Sequence, residues 1–496
     1  MAVVAGRRAG RRAGQVETAA VAVGVLAVVV LWLAVPTFPN YDAYYHLVWG
    51  RELLDARAPG FEAYAAPTQH PLYLVVAALV GLAGTGADRA LVLLTLLGLV
   101  ALTWATWRTG RALFGAWAGA LAALFVGSSF AFLLYAMRAY VDVPFLALVL
   151  GAAAWEVQRG GAAGGGHARG GEGHLGPMLL LVAAGLLRPE GWVLAALYAL
   201  WSLPGRSWAR RAAFLALAAA PPLLWAAVDL AVTGNPLHSL NMTSALADEL
   251  GRPRGLAEVP GSFVAFVTDV ARPPVALAGV IGVVLALGLM GWRRLVVPLS
   301  LLVAGAVTFV GAGVAGLSIL PRYLSVPVVA LCLFAGYAVA GFTTLPEGHP
   351  WRGRWRNGAL GAVAVGAAFL VVQLPSFGRL DEEITFVQGI NRDLEALLDA
   401  PAVAQARRCG PLSFPNYRLV PDARWLLEAP AQEVVARSAF PRGERPARGV
   451  AVFYVGERAL DRYGFADGAD RLANVPDPGY TPLARVGSLR AYVSCP

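Results

Sequence analysis

Long apolar runs broken by short charged turns set the rhythm of the chain. A run of about 20 apolar residues matches the ~30 Å hydrocarbon core of a bilayer. Eleven spans are read at 16–36, 88–108, 114–136, 143–158, 175–188, 190–204, 211–233, 273–292, 295–317, 323–345 and 358–374. The two runs flanking Arg188-Pro189-Glu190-Gly191 are short, so that turn is expected below the membrane surface. The run 71–84 is too short to cross and is read as a helix lying in the outer leaflet. Residues 159–176 are a glycine-rich linker by composition.

Two stretches break this rhythm. Between the first apolar run and 71–84, the chain reads PTFPNYDAYYHLVWGRELLDA, then a Pro/Gly break, Glu62 and His70-Pro71-Leu72-Tyr73. Tyr45, Val48, Trp49 and Leu53 fall on one side of a helix there, and Arg51, Glu52 and Asp55 on another. That is the pattern of a helix lying in the membrane interface. From residue 375 onward, charges, prolines and short alternating runs replace the apolar stretches. The segments 450–456 and 488–495 read as strands and 384–400 as a helix, predicting a small α/β domain. The domains are then a tail at 1–15, a transmembrane domain at 16–374 whose outer loop 37–87 carries juxtamembrane helices, and an α/β domain at 375–496.

Composition agrees with a polytopic helical membrane protein: 57% hydrophobic residues, 14% charged and a mean hydropathy of +0.59. The formal charge of +9 does not point to nucleic acid. Every basic residue is Arg, which suggests a high-GC bacterium, and the arginines gather in turns at the N-terminus and at 108–111, 159–169, 206–211, 293–294 and 352–356. Basic loops stay cytoplasmic. This places the N-terminus inside, as an uncleaved anchor, and the C-terminal domain outside the plasma membrane. Cys409 and Cys495 then flank a domain in an oxidising compartment and are expected to pair, while Cys332 lies in an apolar run. His167 and His174 have no carboxylate or cysteine at ligand spacing and are not read as metal ligands.

An N-terminal span, then Asp42 in a D-x-Y-Y-H context, an amphipathic helix and a H-P-L-Y start resembles the GT-C superfamily of membrane glycosyltransferases. That superfamily includes protein O-mannosyltransferases, the lipid A aminoarabinose transferase and actinobacterial arabinofuranosyltransferases. The resemblance covers roughly residues 15–375. It implies inverting transfer of a sugar from a polyprenyl-phosphate donor to a hydroxyl of an envelope glycan, lipid or protein acceptor. It also implies a catalytic Asp in the first outer loop, here Asp42. A second acid in an R-x-x-x-D setting matches Asp142, and a basic residue after the fifth span matches Arg188. The first loop has a single Asp where metal-using oligosaccharyltransferases have paired acids, which argues against a divalent ion.

Chemistry gives each residue type a reason. Guanidinium groups bind phosphate oxygens bidentately, which suits Arg138, Arg188 and Arg322 at outward helix ends. A carboxylate can take the acceptor's proton, the role of Asp42. Asp142, Glu190, Glu62, His70 and Tyr323 are candidates for orienting substrate. Each has a plainer alternative. Asp42 caps the helix that follows it, Asp142 pairs with Arg138, Arg188 with Glu190 forms a structural ion pair, Arg322 snorkels to the interface, and His70 packs or caps. The loop 234–262 is a candidate lid. Competing classes are a lipid-linked-sugar flippase, which would show midplane charges and inverted repeats, and a non-catalytic scaffold with a glycan-binding tail.

Overall fold

The computed structural model describes residues 2–162, 174–249, 252, 254–464 and 471–495. The chain divides into two compact units. One comprises Met1–Thr37, Leu91–Trp225 and Pro253–Gln373; the other comprises Phe38–Ala90, Ala226–Arg252 and Leu374–Pro496.

The first unit is a helical bundle. Among the described residues, seven helices are long and apolar enough to cross a membrane. They are Gly14–Ala34, Gly84–Phe114, Trp208–Thr233, Pro273–Met290, Trp292–Val314, Pro321–Thr344 and Arg352–Pro375. A bent pair, Ala116–Gly127 with Phe130–Met137, would make an eighth span. Helices Asp142–Ala162, Leu175–Leu187 and Glu190–Ser202 fall where the remaining spans are expected. Helix Ser325–Ala340 is buried along nearly all its length. Gly282 lets its neighbour approach: a Cβ there would stand 1.9 Å from the Phe334 carbonyl oxygen. Close helix contact through small residues replaces the hydrophobic drive that lipid does not supply.

The charges sort to the two ends of this unit. Glu17 meets Arg108 at 2.8 Å and Arg111 at 3.9 Å, and Arg108 also bonds Gln158. These residues close the start of the first helix and the ends of Gly84–Phe114 and Asp142–Ala162, all assigned to one face by the arginine pattern. Pro375 does not stop the last helix, which runs without a break over Arg352–Asp399. The expected final span and the expected tail helix are therefore one rod. A proline removes one backbone donor and crowds the carbonyl four residues back, yet the helix continues through it.

The second unit joins the first loop to the tail. The tail carries a sheet of β1 (Leu412–Phe414), β2 (Val434–Ala436), β3 (Gly449–Tyr454), β4 (Thr481–Val486) and β5 (Leu489–Ser494). The strand order is β2-β1-β3-β5-β4, with β1 parallel to β2 and β3, and β5 antiparallel to β3 and β4. β3 is buried throughout, as its apolar run Gly449–Tyr454 predicts. The end of the long helix contributes Val387, Ile390, Leu394, Leu397 and Leu398 to the same core. Cys409 and Cys495 are disulfide-bonded, with Cα atoms 5.6 Å apart.

The first loop forms helix Tyr41–Leu54 and, after an irregular turn, helix Pro71–Gly81. The first of these is not the interfacial helix that its pattern suggests. Tyr45, Val48 and Trp49 are buried, and so is Glu52. Only the last turn, at Leu53 and Leu54, is open. The apolar side packs on protein through Phe61, Ala66 and Leu74. Gly50 permits the crossing, since a Cβ there would lie 2.6 Å from the Ala78 nitrogen. Helix Pro71–Gly81 does keep an open apolar face at Val75, Leu79 and Leu82.

Candidate active site

Asn40 starts the helix that carries Asp42. Its side-chain oxygen accepts from the backbone nitrogens of Asp42 at 2.8 Å and Ala43 at 3.2 Å. An N-cap side chain satisfies such orphan donors. Asn40 therefore takes the capping role that the sequence also allowed for Asp42. The Asp42 side chain is half-buried in the first turn, where a helix N-terminus favours negative charge.

His46 sits one turn further on and is fully buried. Its Nδ1 lies 2.7 Å from the Asp42 carbonyl oxygen, and its Nε2 accepts from the His70 backbone nitrogen at 3.1 Å. A backbone N–H can only donate, so Nε2 is unprotonated and Nδ1 carries the hydrogen. Burial pushes the His46 imidazole down to about 4. The rings of His46 and His70 stack with centroids 5.2 Å apart, and Trp49 and Tyr73 meet His46 edge-on. His70 is thus a packing residue as well as the N-cap position of helix Pro71–Gly81, where its side chain makes no capping bond. Tyr41 donates to the Ala65 carbonyl at 2.7 Å and packs edge-on against Tyr417 of the tail. Glu62 is exposed.

Three further residues pin this loop. Glu52 accepts from the Gly60 nitrogen at 2.9 Å and from Arg424 of the tail at 2.6 Å. Arg51 donates to the carbonyls of Arg424 and Trp425. Asp229 is buried and accepts from Gln69 at 3.3 Å and from Ser239 through both its nitrogen and its hydroxyl. Helix His238–Glu249, within the proposed lid, is tied down there and by Thr243 to Thr68. Sequence reading gave no site role to His46, the last residue of the D-x-Y-Y-H motif, to Glu52, or to Arg424 and Asp229. For His46 a signal existed: it stands four residues after Asp42 on one helix, so the two share a face.

In the bundle, the turn after Leu175–Leu187 presents Arg188, which is 4% exposed. Indole nitrogens of Trp192 and Trp225 both donate to the Gly185 carbonyl and fix that helix end. The Arg188 guanidinium bonds Asp142 and meets Glu190 through Nη2 at 2.6 Å and Nε at 3.2 Å. Its charge centre lies 5.3 Å from the Tyr323 ring and 5.7 Å from that of Phe145. Asp142 is thus held by Arg188, a partner 46 residues away. Its second oxygen is buried and has no hydrogen-bond partner among the described residues. Arg322 is half-buried and lies over Tyr140 and Tyr323 at 5.9 and 6.0 Å. Arg138 is half-buried and is followed by Ala139 at φ 53°. The cluster of three arginines and two carboxylates is one positive charge from neutral.

No group of three or more His, Cys, Asp or Glu comes together as a metal site among the described residues. His167 lies outside the described residues. The backbone nitrogen of His174 donates to Tyr198 at 2.7 Å.

Comparison with solved structures settles the architecture. ArnT from Cupriavidus metallidurans bound to undecaprenyl phosphate superposes with a TM-score of 0.51 at 15% identity, covering 96% of this chain and 98% of that one. An oligosaccharyltransferase from Archaeoglobus fulgidus, tethered to an acceptor peptide containing the NVT sequon, gives 0.52 at 13% identity, covering 97% and 74%. AglB from the same organism, with an inhibitory peptide and a dolichol-phosphate, gives 0.52 at 12%, covering 96% and 74%. The chain shares the fold of these proteins. No protein-family model matches it, and no curated protein matches it by sequence. Of the predicted site residues, Asp42, Glu62 and His70 belong to the unit of loop and tail, and Arg138, Asp142, Arg188, Glu190, Arg322 and Tyr323 to the bundle.

Proposed function

We propose that the protein is an inverting glycosyltransferase that uses a polyprenyl-phosphate sugar and glycosylates a hydroxyl of an envelope glycan, lipid or protein on the outer face of the membrane. The acceptor oxygen attacks the anomeric carbon, and the bond from that carbon to the phosphate oxygen breaks. Polyprenyl phosphate leaves with the bonding electrons. Asp42 takes the acceptor's proton and later gives it to water. One displacement by one base inverts the anomeric centre.

The observation that carries this reading is the division of labour around Asp42. Asn40 does the capping, so capping does not account for an acid at the head of this helix. The arginines of the bundle supply the positive charge that a departing phosphate needs. Arg138, Arg188 and Arg322 are the proposed phosphate partners. Asp142, through its remaining oxygen, and Glu190 orient the sugar hydroxyls, with Tyr323 as a flanking ring. The likeness in fold to ArnT and AglB structures that contain lipid phosphates supports the donor class. The exposure of Glu62 supports a contact with the acceptor rather than the donor.

The test is mass spectrometry of envelope glycans and of the polyprenyl-phosphate sugar pool in a deletion strain. Loss of one envelope sugar with a rise of its lipid-linked form is expected. An unchanged envelope with lipid-linked sugar retained on the cytoplasmic leaflet would replace this reading with that of a flippase.

A further inference from the structure

We propose that His46 is a positioning residue for the reaction: a neutral imidazole strut that holds the Asp42 turn against the backbone of His70. This rests on the reading of Asp42 as base. The geometry is specific. Nδ1–H reaches the Asp42 carbonyl at 2.7 Å, while Nε2 takes the His70 N–H at 3.1 Å. One ring thus bridges the first turn of helix Tyr41–Leu54 and the N-cap position of helix Pro71–Gly81. Other contacts hold the intervening turn through Tyr41 and Glu52, while the ring itself joins the Asp42 carbonyl to the His70 nitrogen.

The strut works in one protonation state only. A second ring hydrogen on Nε2 would point at the His70 N–H, donor against donor. The ring is walled by Trp49, Tyr73 and His70, so it has no room to swing to another partner. Its titratable neighbours are the Asp42 carboxylate, Tyr73 and His70. A buried His usually needs only to satisfy its two nitrogens. Here both nitrogens are spent on backbone groups of two residues singled out for the site, which packing alone does not require.

Catalysis is sensitive to placement, and a shift of about 1 Å can cost ~10²-fold. His46→Phe keeps the ring contacts and removes both hydrogen bonds. His46→Gln puts an amide oxygen near the place of Nε2 and can still accept from His70. The experiment uses the full-length protein in nanodiscs. The donor is the polyprenyl-phosphate sugar pool extracted from source-cell membranes, and the acceptor is the cell's own envelope glycan. His46→Phe is expected to lower kcat about tenfold or more with the donor KM unchanged, and His46→Gln to recover part of it. Coupling separates positioning from mere support. If His46 acts through Asp42, the double variant His46→Phe/Asp42→Asn loses no more than Asp42→Asn alone.

Multiplying losses would overturn the proposal, as would near-normal kcat in His46→Phe while Asp42→Asn is impaired; the base assignment survives both. Near-normal transfer by Asp42→Asn would remove the base reading and the strut with it. Should His46→Phe fail to fold, the same cycle is run with His46→Gln, and strict additivity there contradicts the proposal.

Discussion

The bundle's charge cluster and the Asp42 loop handle polar groups in opposite ways. In the bundle, charge answers charge: Arg188 is gripped by Asp142 and Glu190 and is itself nearly fully buried. Around Asp42, neutral groups do the holding, through an amide cap, an imidazole and aromatic edges. A buried ion pair costs desolvation and collapses when one member goes, whereas a neutral frame fixes the backbone around the carboxylate without a buried counter-charge among the named contacts. The first arrangement suits a scaffold that also carries charge, and the second suits a base that must gain and lose a proton.

The largest effect should come from breaking the cluster. Arg188→Met would strand two carboxylates, and loss of one partner of a buried pair costs about 3–5 kcal/mol. A fall in melting temperature of many degrees is expected in detergent or nanodiscs. Unchanged stability would place the carboxylates in water and undo the contrast.

Acid should probe the neutral frame. His46 is held down at about 4 against an ordinary value near 6.5. The folded state therefore binds fewer protons than the unfolded one between those values. Stability is full above about pH 6.5 and falls as pH drops to about 4, by on the order of 3 kcal/mol. In His46→Phe that slope should flatten. Denaturation midpoints at pH 7, 6, 5 and 4 for both proteins measure it, and parallel curves would sink the expectation.

The smallest effect concerns Ala139, buried at φ 53° where glycine is at ease. It closes the helix ahead of Tyr140, whose nitrogen bonds the Tyr135 carbonyl at 2.9 Å. Ala139→Gly should raise stability by up to about 1 kcal/mol if only the backbone matters. A loss of transfer despite that gain would show that the rigid turn holds Arg138 and Tyr140 for function.

Much of this architecture was legible in the apolar runs, because bilayer thickness imposes a length on each span. The short helices around Arg188, the helix after Pro71 and strand β3 fall where periodicity and turn residues put them. What misled was local. The composition changes at Pro375, yet the helix runs on through it to Asp399. Tyr45, Val48 and Trp49 looked lipid-facing because a buried helix and an interfacial one share the same stripe, and only Arg424, some 370 residues away, shows where Glu52 goes. Asp42 stood out as an acid near a span, but its capping neighbour Asn40 and its strut His46 did not, since both act through backbone atoms. Pairings across long separations, such as Asp142 with Arg188, leave no periodic mark.

The central claim is that Asp42 takes the acceptor's proton. Asp42→Asn keeps size and leaves the Asn40 cap in place, but it cannot accept that proton. Removing a general base typically costs ~10²–10⁴-fold in rate. The measurement is single-turnover transfer from the extracted lipid-linked sugar pool by purified Asp42→Asn in nanodiscs, beside its melting temperature. A loss in that range with an unchanged melting temperature is the predicted result. Transfer at the wild-type rate would contradict it.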